Sequence, residues 1–93
     1  MDNIIKLSGE FATGHVYLNG KLLNPARSLL LANHSPTGFA WGYSGSGPSQ
    51  LALAVCVELF GEEAALEVYQ EFKRRYIATL PEGDFSRTLE IDL

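Results

Sequence analysis

An almost uninterrupted apolar segment in the middle of the chain limits the folds available to it. Every residue from 51 to 57 is apolar, and the run is far shorter than the roughly 20 residues that a membrane span requires. Pro48 suits the first turn of a helix, and Gly61 suits a helix terminator with a left-handed backbone. We therefore predict a helix over residues 48–60, capped by Ser46, that is buried nearly all round.

A second helix is predicted shortly after Gly61. Its apolar side chains recur at helical spacing, and its opposite face is charged. Because the connection is very short, the two helices should pack as a hairpin, and Pro81 and Gly83 should end the second one. The apolar positions are Ala65, Tyr69, Phe72, Tyr76 and Leu80.

The segments at the two ends of the chain are predicted to form strands. Asn19-Gly20 tolerates the positive φ angles of a type I′ turn, so His15–Leu18 and residues 21–23 should form a hairpin. An earlier apolar strand is expected to stop at Ser8-Gly9. Residues 85–93 favour a last strand, because apolar and acidic residues alternate over 89–93.

Three aromatic residues alternate with small ones in the segment before the central helix. In a strand, this alternation would place the three rings on one face. In so small a chain, such a stripe is more often part of the core than a platform for bases or a partner. The aromatic residues are Phe39, Trp41 and Tyr43.

Together these elements predict an α+β fold, with a small antiparallel sheet of three to five short strands packed on a two-helix hairpin. The length of 93 residues fits a single domain spanning residues 1–93. A composition with 46% hydrophobic and 19% charged residues supports a packed core and excludes a disordered chain.

Charge and cysteine content exclude further classes. The net charge of −4 argues against a nucleic-acid binder, which would show a basic face, and the single Cys56 excludes an internal disulfide. Asp2 stands where a signal peptide needs a basic start, so we expect a cytoplasmic protein with no membrane association. His15, His34 and Cys56 lack the spacing of metal ligands, and we expect no metal and no cofactor.

A glycine- and serine-rich loop before the central helix is the main candidate for a binding site. Backbone N–H groups at such a position can hold a phosphate or a carboxylate. The simpler interpretation, in which the glycines only permit a sharp turn, is favoured because no phosphate-binding motif is complete. The candidate ligand- or partner-binding residues are His34, Trp41, Tyr43, Ser44, Gly45, Ser46, Gly47 and Ser49.

The same loop approaches the Gly-x-Ser-x-Gly elbow of serine hydrolases. Ser46 stands where the final glycine of that elbow belongs, and both histidines precede Ser44, which reverses the hydrolase order. A small enzyme that uses Ser44 or Ser46 with His34 is therefore an alternative, and no catalytic residue is assigned.

The charges are unevenly distributed along the chain. Residues 1–57 carry two acids and three bases, whereas residues 58–93 carry nine acids and four bases. Acids at the start of the second helix and bases toward its end also complement the helix dipole, so a solvated helix face is the favoured interpretation. The functional interpretation is an acidic face for a basic partner, comprising Glu62, Glu63, Glu67 and Glu71.

Four consecutive motifs cover residues 33–54: Asn33-His34-Ser35-Pro36, Phe39-Ala40-Trp41-Gly42-Tyr43, Gly45-Ser46-Gly47-Pro48 and Gln50-Leu51-Ala52-Leu53-Ala54. They resemble the signature of a small bacterial and phage family known only as a domain of unknown function. The resemblance covers most of the chain from Leu22 onward. It implies a bacterial cell or a phage-infected host as the setting and supplies no activity.

We expect a non-enzymatic binding protein that contacts a protein partner or captures an anion or nucleotide at residues 45–49. A specific version is an inhibitor of a host protein or defence complex, such as a CRISPR effector. One alternative is a nucleotide-binding, phosphate-binding or hydrolytic domain that uses the glycine-serine loop. Another is a structural module that forms a homodimer through the strand at residues 89–93.

Overall fold

The computed structural model describes residues 3–93, so Met1 and Asp2, and the argument from Asp2, lie outside it. The described chain forms a four-stranded antiparallel sheet with three α-helices, which confirms the predicted α+β class. No helix in residues 3–93 combines the length and the apolar character needed to span a bilayer. The strands are β1 (Ile4–Glu10), β2 (His15–Leu18), β3 (Lys21–Leu22) and β4 (Phe85–Glu90). The helices are α1 (Ala26–Leu31), α2 (Ser46–Phe60) and α3 (Glu62–Phe72), and a π-helical turn (Lys73–Ile77) extends α3.

The sheet has the order β3-β2-β1-β4, with β1 paired on both sides. Ile5 and Leu7 of β1 are buried in the core, whereas Ile4 and Lys6 are exposed on the other face. The Asn19-Gly20 turn between β2 and β3 is confirmed, since both residues adopt positive φ angles, 52° and 84°. One face of the sheet therefore meets the helices, and the other stays open.

α2 runs through the middle of the fold, and residues 47–57 are all buried. The predicted cap at Ser46 is wrong, because Gly45 occupies the N-cap position and no side chain caps the helix. Gly61 ends the helix with φ 87°, as predicted, and its N–H donates to the Val57 carbonyl. Because α2 has no polar face, α1, α3 and the sheet must all contribute to covering it.

α3 packs against α2 and confirms the predicted helix hairpin. The prediction of one regular helix up to Leu80 is only partly right, because a π-helical turn follows Phe72. In this turn the Ala78 N–H donates to the Lys73 carbonyl at 2.8 Å. The Ile77 carbonyl accepts the Gly42 N–H at 3.1 Å, which attaches the end of α3 to the connector between α1 and α2, residues 32–45.

Residues 39–43 of the connector have no regular secondary structure, so the predicted aromatic strand is wrong. Gly42 adopts φ 85°, a conformation that interrupts an extended strand. The three rings consequently do not share one face. Trp41 is buried, Phe39 is half-buried and Tyr43 is exposed.

Trp41 packs against the backbone of β1 at Gly9. Its ring meets Phe85 edge-on with 5.1 Å between centroids. A Cβ added to Gly9 would lie 2.5 Å from the Phe85 ring and 2.9 Å from the Trp41 ring. The missing side chain lets both rings reach the strand, and β1 continues to Glu10 instead of stopping at Ser8-Gly9 as predicted.

The predicted last strand is shorter than expected. β4 pairs with β1, and residues 91–93 lie beyond it. The Ile91 N–H donates to the Asn3 carbonyl, and the Asp92 N–H donates to Tyr76 Oη, both at 2.8 Å. Arg87 of this edge strand pairs opposite the buried Leu7, and a charge on the core side of an edge disfavours edge-to-edge pairing.

Gly9→Ala should destabilise the protein by about 1–3 kcal/mol, because the added methyl group overlaps two packed rings. Urea unfolding measures this change. Gly83→Ala is the matched control, since a Cβ there meets nothing within 4 Å, and its effect should stay below about 0.5 kcal/mol. An unchanged unfolding midpoint for Gly9→Ala would contradict the close packing of Trp41 on β1.

Candidate functional site

The glycine-serine loop at the start of α2 is tightly packed. A Cβ on Gly47 would lie 2.6 Å from the Ala40 Cβ, and a Cβ on Gly45 would lie 2.7 Å from the Tyr43 ring. Ser49 is also buried, and its N–H donates to the Gly45 carbonyl at 3.0 Å. The two glycines thus permit close contact between the connector and α2. The exposed side chains of this stretch are Tyr43, Ser44 and Ser46.

Gln50, which is not among the predicted site residues, organises the turn that carries His34. Its side chain is fully buried, and its Oε1 accepts the His34 N–H at 2.7 Å and the Ser35 N–H at 3.1 Å. Its Nε2 donates to Ser28 Oγ at 2.9 Å, and Ser28 Oγ donates to the Pro25 carbonyl at 2.8 Å. One buried amide therefore joins α1, the connector and α2.

His34 attaches the connector to α3. Its Nε2 lies 2.7 Å from Tyr69 Oη, and the two rings are 5.5 Å apart. A serine nucleophile needs a base within hydrogen-bonding reach, and no hydrogen bond joins His34 to Ser44 or Ser46 within residues 3–93. The same part of the chain contains no group of three His, Cys, Asp or Glu side chains arranged to hold a metal ion.

A small aromatic cleft opens between the β1–β2 loop and the connector. Its volume is about 80 Å³, and an adjoining cleft of about 300 Å³ shares two of its lining residues, Gly14 and Phe39. The two clefts therefore lie side by side, with Gly14 and Phe39 lining both. The aromatic cleft is lined by Phe11, Gly14, Phe39, Ala40, Trp41 and Tyr43.

The rings of this cleft differ in exposure. Trp41 is only 4% exposed, and its Nε1 donates to the Gly83 carbonyl at 2.7 Å, so it forms a fixed floor. Phe11 is 65% exposed and Tyr43 is 50% exposed. The structure thus brings two predicted residues, Trp41 and Tyr43, together with Phe11 and Phe39. An aromatic residue in the short loop between two strands is the sequence signal that would have identified Phe11.

Two carboxylates flank the aromatic cleft. Asp84 Oδ1 accepts the Phe11 N–H at 2.7 Å, which holds the β1–β2 loop in place. The Cγ of Glu82 would lie 2.9 Å from a Cβ added to Gly42, the residue between Trp41 and Tyr43. Residues 82–84 therefore bring two acidic side chains next to residues that line the cleft or adjoin it.

The predicted acidic face is partly neutralised by neighbouring arginines. Glu62 Oε2 lies 3.0 Å from Arg27 Nε, and Glu71 Oε2 lies 3.4 Å from Arg75 Nη1. These pairs are exposed, so each adds little to stability. The members of the face without an ion pair in the described chain are Glu63 and Glu67.

Cys56 lies within the buried surface of α2. Burial disfavours the thiolate and raises the pKa of Cys56 from 9.0 to about 12. The side chain therefore behaves as a small apolar group of the core.

Gln50→Met should lower stability by about 2–3 kcal/mol, because the backbone N–H groups of His34 and Ser35 lose their acceptor. Urea unfolding measures the loss. Gln70→Met, on the exposed side of α3, is the matched control and should change stability by less than about 0.5 kcal/mol. Equal effects of the two substitutions would contradict the network around Gln50.

The Cys56 thiol should react with a disulfide-exchange reagent far more slowly in the folded protein than in denaturant. Because its folded pKa is raised above the unfolded value of 9.0, the thiol contributes stability below about pH 9 that is lost as the pH rises toward 12. Labelling rates measured between about pH 8 and pH 10 check this expectation. Equal rates for folded and unfolded protein would show that the thiol is accessible.

Comparisons with known proteins identify one family and no named relative. Neither the curated proteins nor the solved structures contain a match to this sequence. A family model described as "Family of unknown function (DUF6166)" matches residues 7–92. This match runs from the middle of β1 through β4 and includes the connector and the residues that line the cleft. The chain therefore belongs to DUF6166, a family of unknown function.

Proposed function

We propose that this protein is a non-enzymatic binding protein that contacts a protein partner through its aromatic cleft. The observation that supports this most directly is the exposure of Phe11 and Tyr43 beside a buried Trp41. Aromatic side chains carry much of the binding energy in protein interfaces, and they contribute most where water is excluded around them. A partner that covers these rings would gain that energy.

The cleft is already held in shape by the rest of the fold. The Phe11 backbone is fixed by Asp84, the Trp41 indole by the Gly83 carbonyl, and Tyr43 rests against Gly45. Binding to a preformed surface loses less conformational entropy than binding to a mobile one.

The occupant that fits this chemistry is an extended, basic segment of another protein. An apolar side chain of that segment would enter between the aromatic rings, and a neighbouring arginine or lysine would meet Glu82 and Asp84. Arginine also stacks favourably on aromatic faces. The adjoining cleft of about 300 Å³ extends the surface, as an extended segment requires.

The proposal also concerns the cell in which the protein acts and the identity of its partner. Such a partner would be met in the cytoplasm of a bacterial cell or of an infected host. An inhibitor of a host defence complex is the narrower version, and the identity of the captured protein decides it. Anion or nucleotide capture at residues 45–49 is less favoured, because Gly47 of this loop packs closely against Ala40.

The Phe11→Ser/Tyr43→Ser double variant should recover at least about tenfold less of the partner than the parent in a pull-down from bacterial lysate. Both side chains are exposed, so the fold should be unaffected, which circular dichroism checks. Leu22→Ser is the matched control, since it removes an equally exposed apolar side chain, 56% exposed, from β3. A partner retained by the double variant, or lost equally by the control, would contradict the assignment of the cleft.

A further inference from the structure

We infer a second protein-binding surface, the groove between α1 and α3, which fits a basic amphipathic helix of a partner protein. It shares no residue with the aromatic cleft, so it stands independently of the proposed function. The inference rests on two exposed leucines and on the charges around them.

Two contacts place residues 27–34, which comprise most of α1 and the start of the connector, beside α3. At one end, Arg27 Nε lies 3.0 Å from Glu62 Oε2. At the other end, His34 Nε2 lies 2.7 Å from Tyr69 Oη. The two contacts are seven residues apart on each segment, so the segments run side by side in the same direction.

Two leucines lie between these contacts and are left open to solvent. Leu30 is 89% exposed and Leu66 is 46% exposed. Leu66 lies four residues after Glu62 and three before Tyr69, so it shares their stripe on α3 and faces α1. Leu30 lies three residues after Arg27 on α1 and so projects from the neighbouring wall. A covering partner would gain the free energy of removing this apolar surface from water.

The charges around the groove are mostly negative. Arg27 forms ion pairs with two carboxylates. In addition to its contact with Glu62, its Nη1 lies 3.6 Å from Glu58 Oε2. Glu63 and Glu67 flank the α3 leucine in sequence and have no ion pair within residues 3–93. Four carboxylates thus lie on or next to the groove, with Arg27 at one end and Lys73, four residues after Tyr69, beyond the other.

Exposed leucines together with nearby carboxylates favour one class of binding partner, a basic amphipathic helix. A partner helix would insert apolar side chains between α1 and α3 and place lysines or arginines against Glu63 and Glu67. A second copy of the chain would bring these carboxylates against their own counterparts in a two-fold contact, which is repulsive. Nucleic acids and anionic lipid surfaces would be repelled for the same reason.

A synthetic helix of about 18 residues, with leucines at i, i+3, i+4 and i+7 spacing and lysines elsewhere, is the probe. Fluorescence anisotropy should show saturable binding to the parent protein. The Leu30→Gln/Leu66→Gln variant should bind at least about tenfold more weakly. The Glu63→Gln/Glu67→Gln variant should bind more weakly and lose less affinity between about 50 and 200 mM salt.

Three controls test whether the probe binds at the groove. Leu22→Gln/Glu90→Gln makes the same chemical changes elsewhere and should keep the parent affinity within about twofold. Phe11→Ser/Tyr43→Ser should also keep it, because the aromatic cleft is separate. A probe with glutamates in place of lysines should not bind. No binding to the parent, unchanged binding by the groove variants, or loss confined to the cleft variant would each overturn the inference.

Discussion

The burial of α2 on every side is the constraint on which the rest of the structure depends. A helix without a polar face exposes apolar side chains to water whichever way it is turned. A single sheet covers only one side of it and cannot bury it completely. The sheet covers part of its surface, and α1, α3 and the connector must close over the remainder. The close approach of Gly47 to Ala40 follows from that requirement, because any larger residue would hold the connector away from the helix.

Two polar anchors decide where the connector runs on this apolar helix. Hydrophobic contact is non-directional, and many paths of the chain could cover α2. Gln50 fixes one end of the connector through backbone N–H groups, and Trp41 fixes the other through its indole N–H. A buried polar group that finds its partners in only one arrangement makes that arrangement unique. The shape of the aromatic cleft is a consequence of these two bonds.

Short-range chemistry explains which features could be predicted from the sequence. Asn19-Gly20 specifies its own turn, and the apolar run of α2 specifies its own burial, since each signal acts over a few neighbouring residues. The alternation of aromatic and small residues over 39–43 wrongly predicts a strand, because Gly42 adopts a positive φ angle that interrupts an extended backbone. The cleft joins Phe11 to Asp84, which are 73 residues apart, and no local pattern encodes that pairing. The Ile77 carbonyl of the π-helical turn likewise accepts from Gly42, a residue distant in the chain.

The π-helical turn makes the end of α3 tolerant of a change in length. The bond from the Ala78 N–H to the Lys73 carbonyl encloses one residue more than an α-helical bond would. The wider turn takes up this residue, while the chain beyond it keeps nearly the direction that an uninterrupted α-helix would give it. A chain of this fold that is one residue shorter here should therefore continue as an ordinary α-helix and keep the end of α3 against the connector.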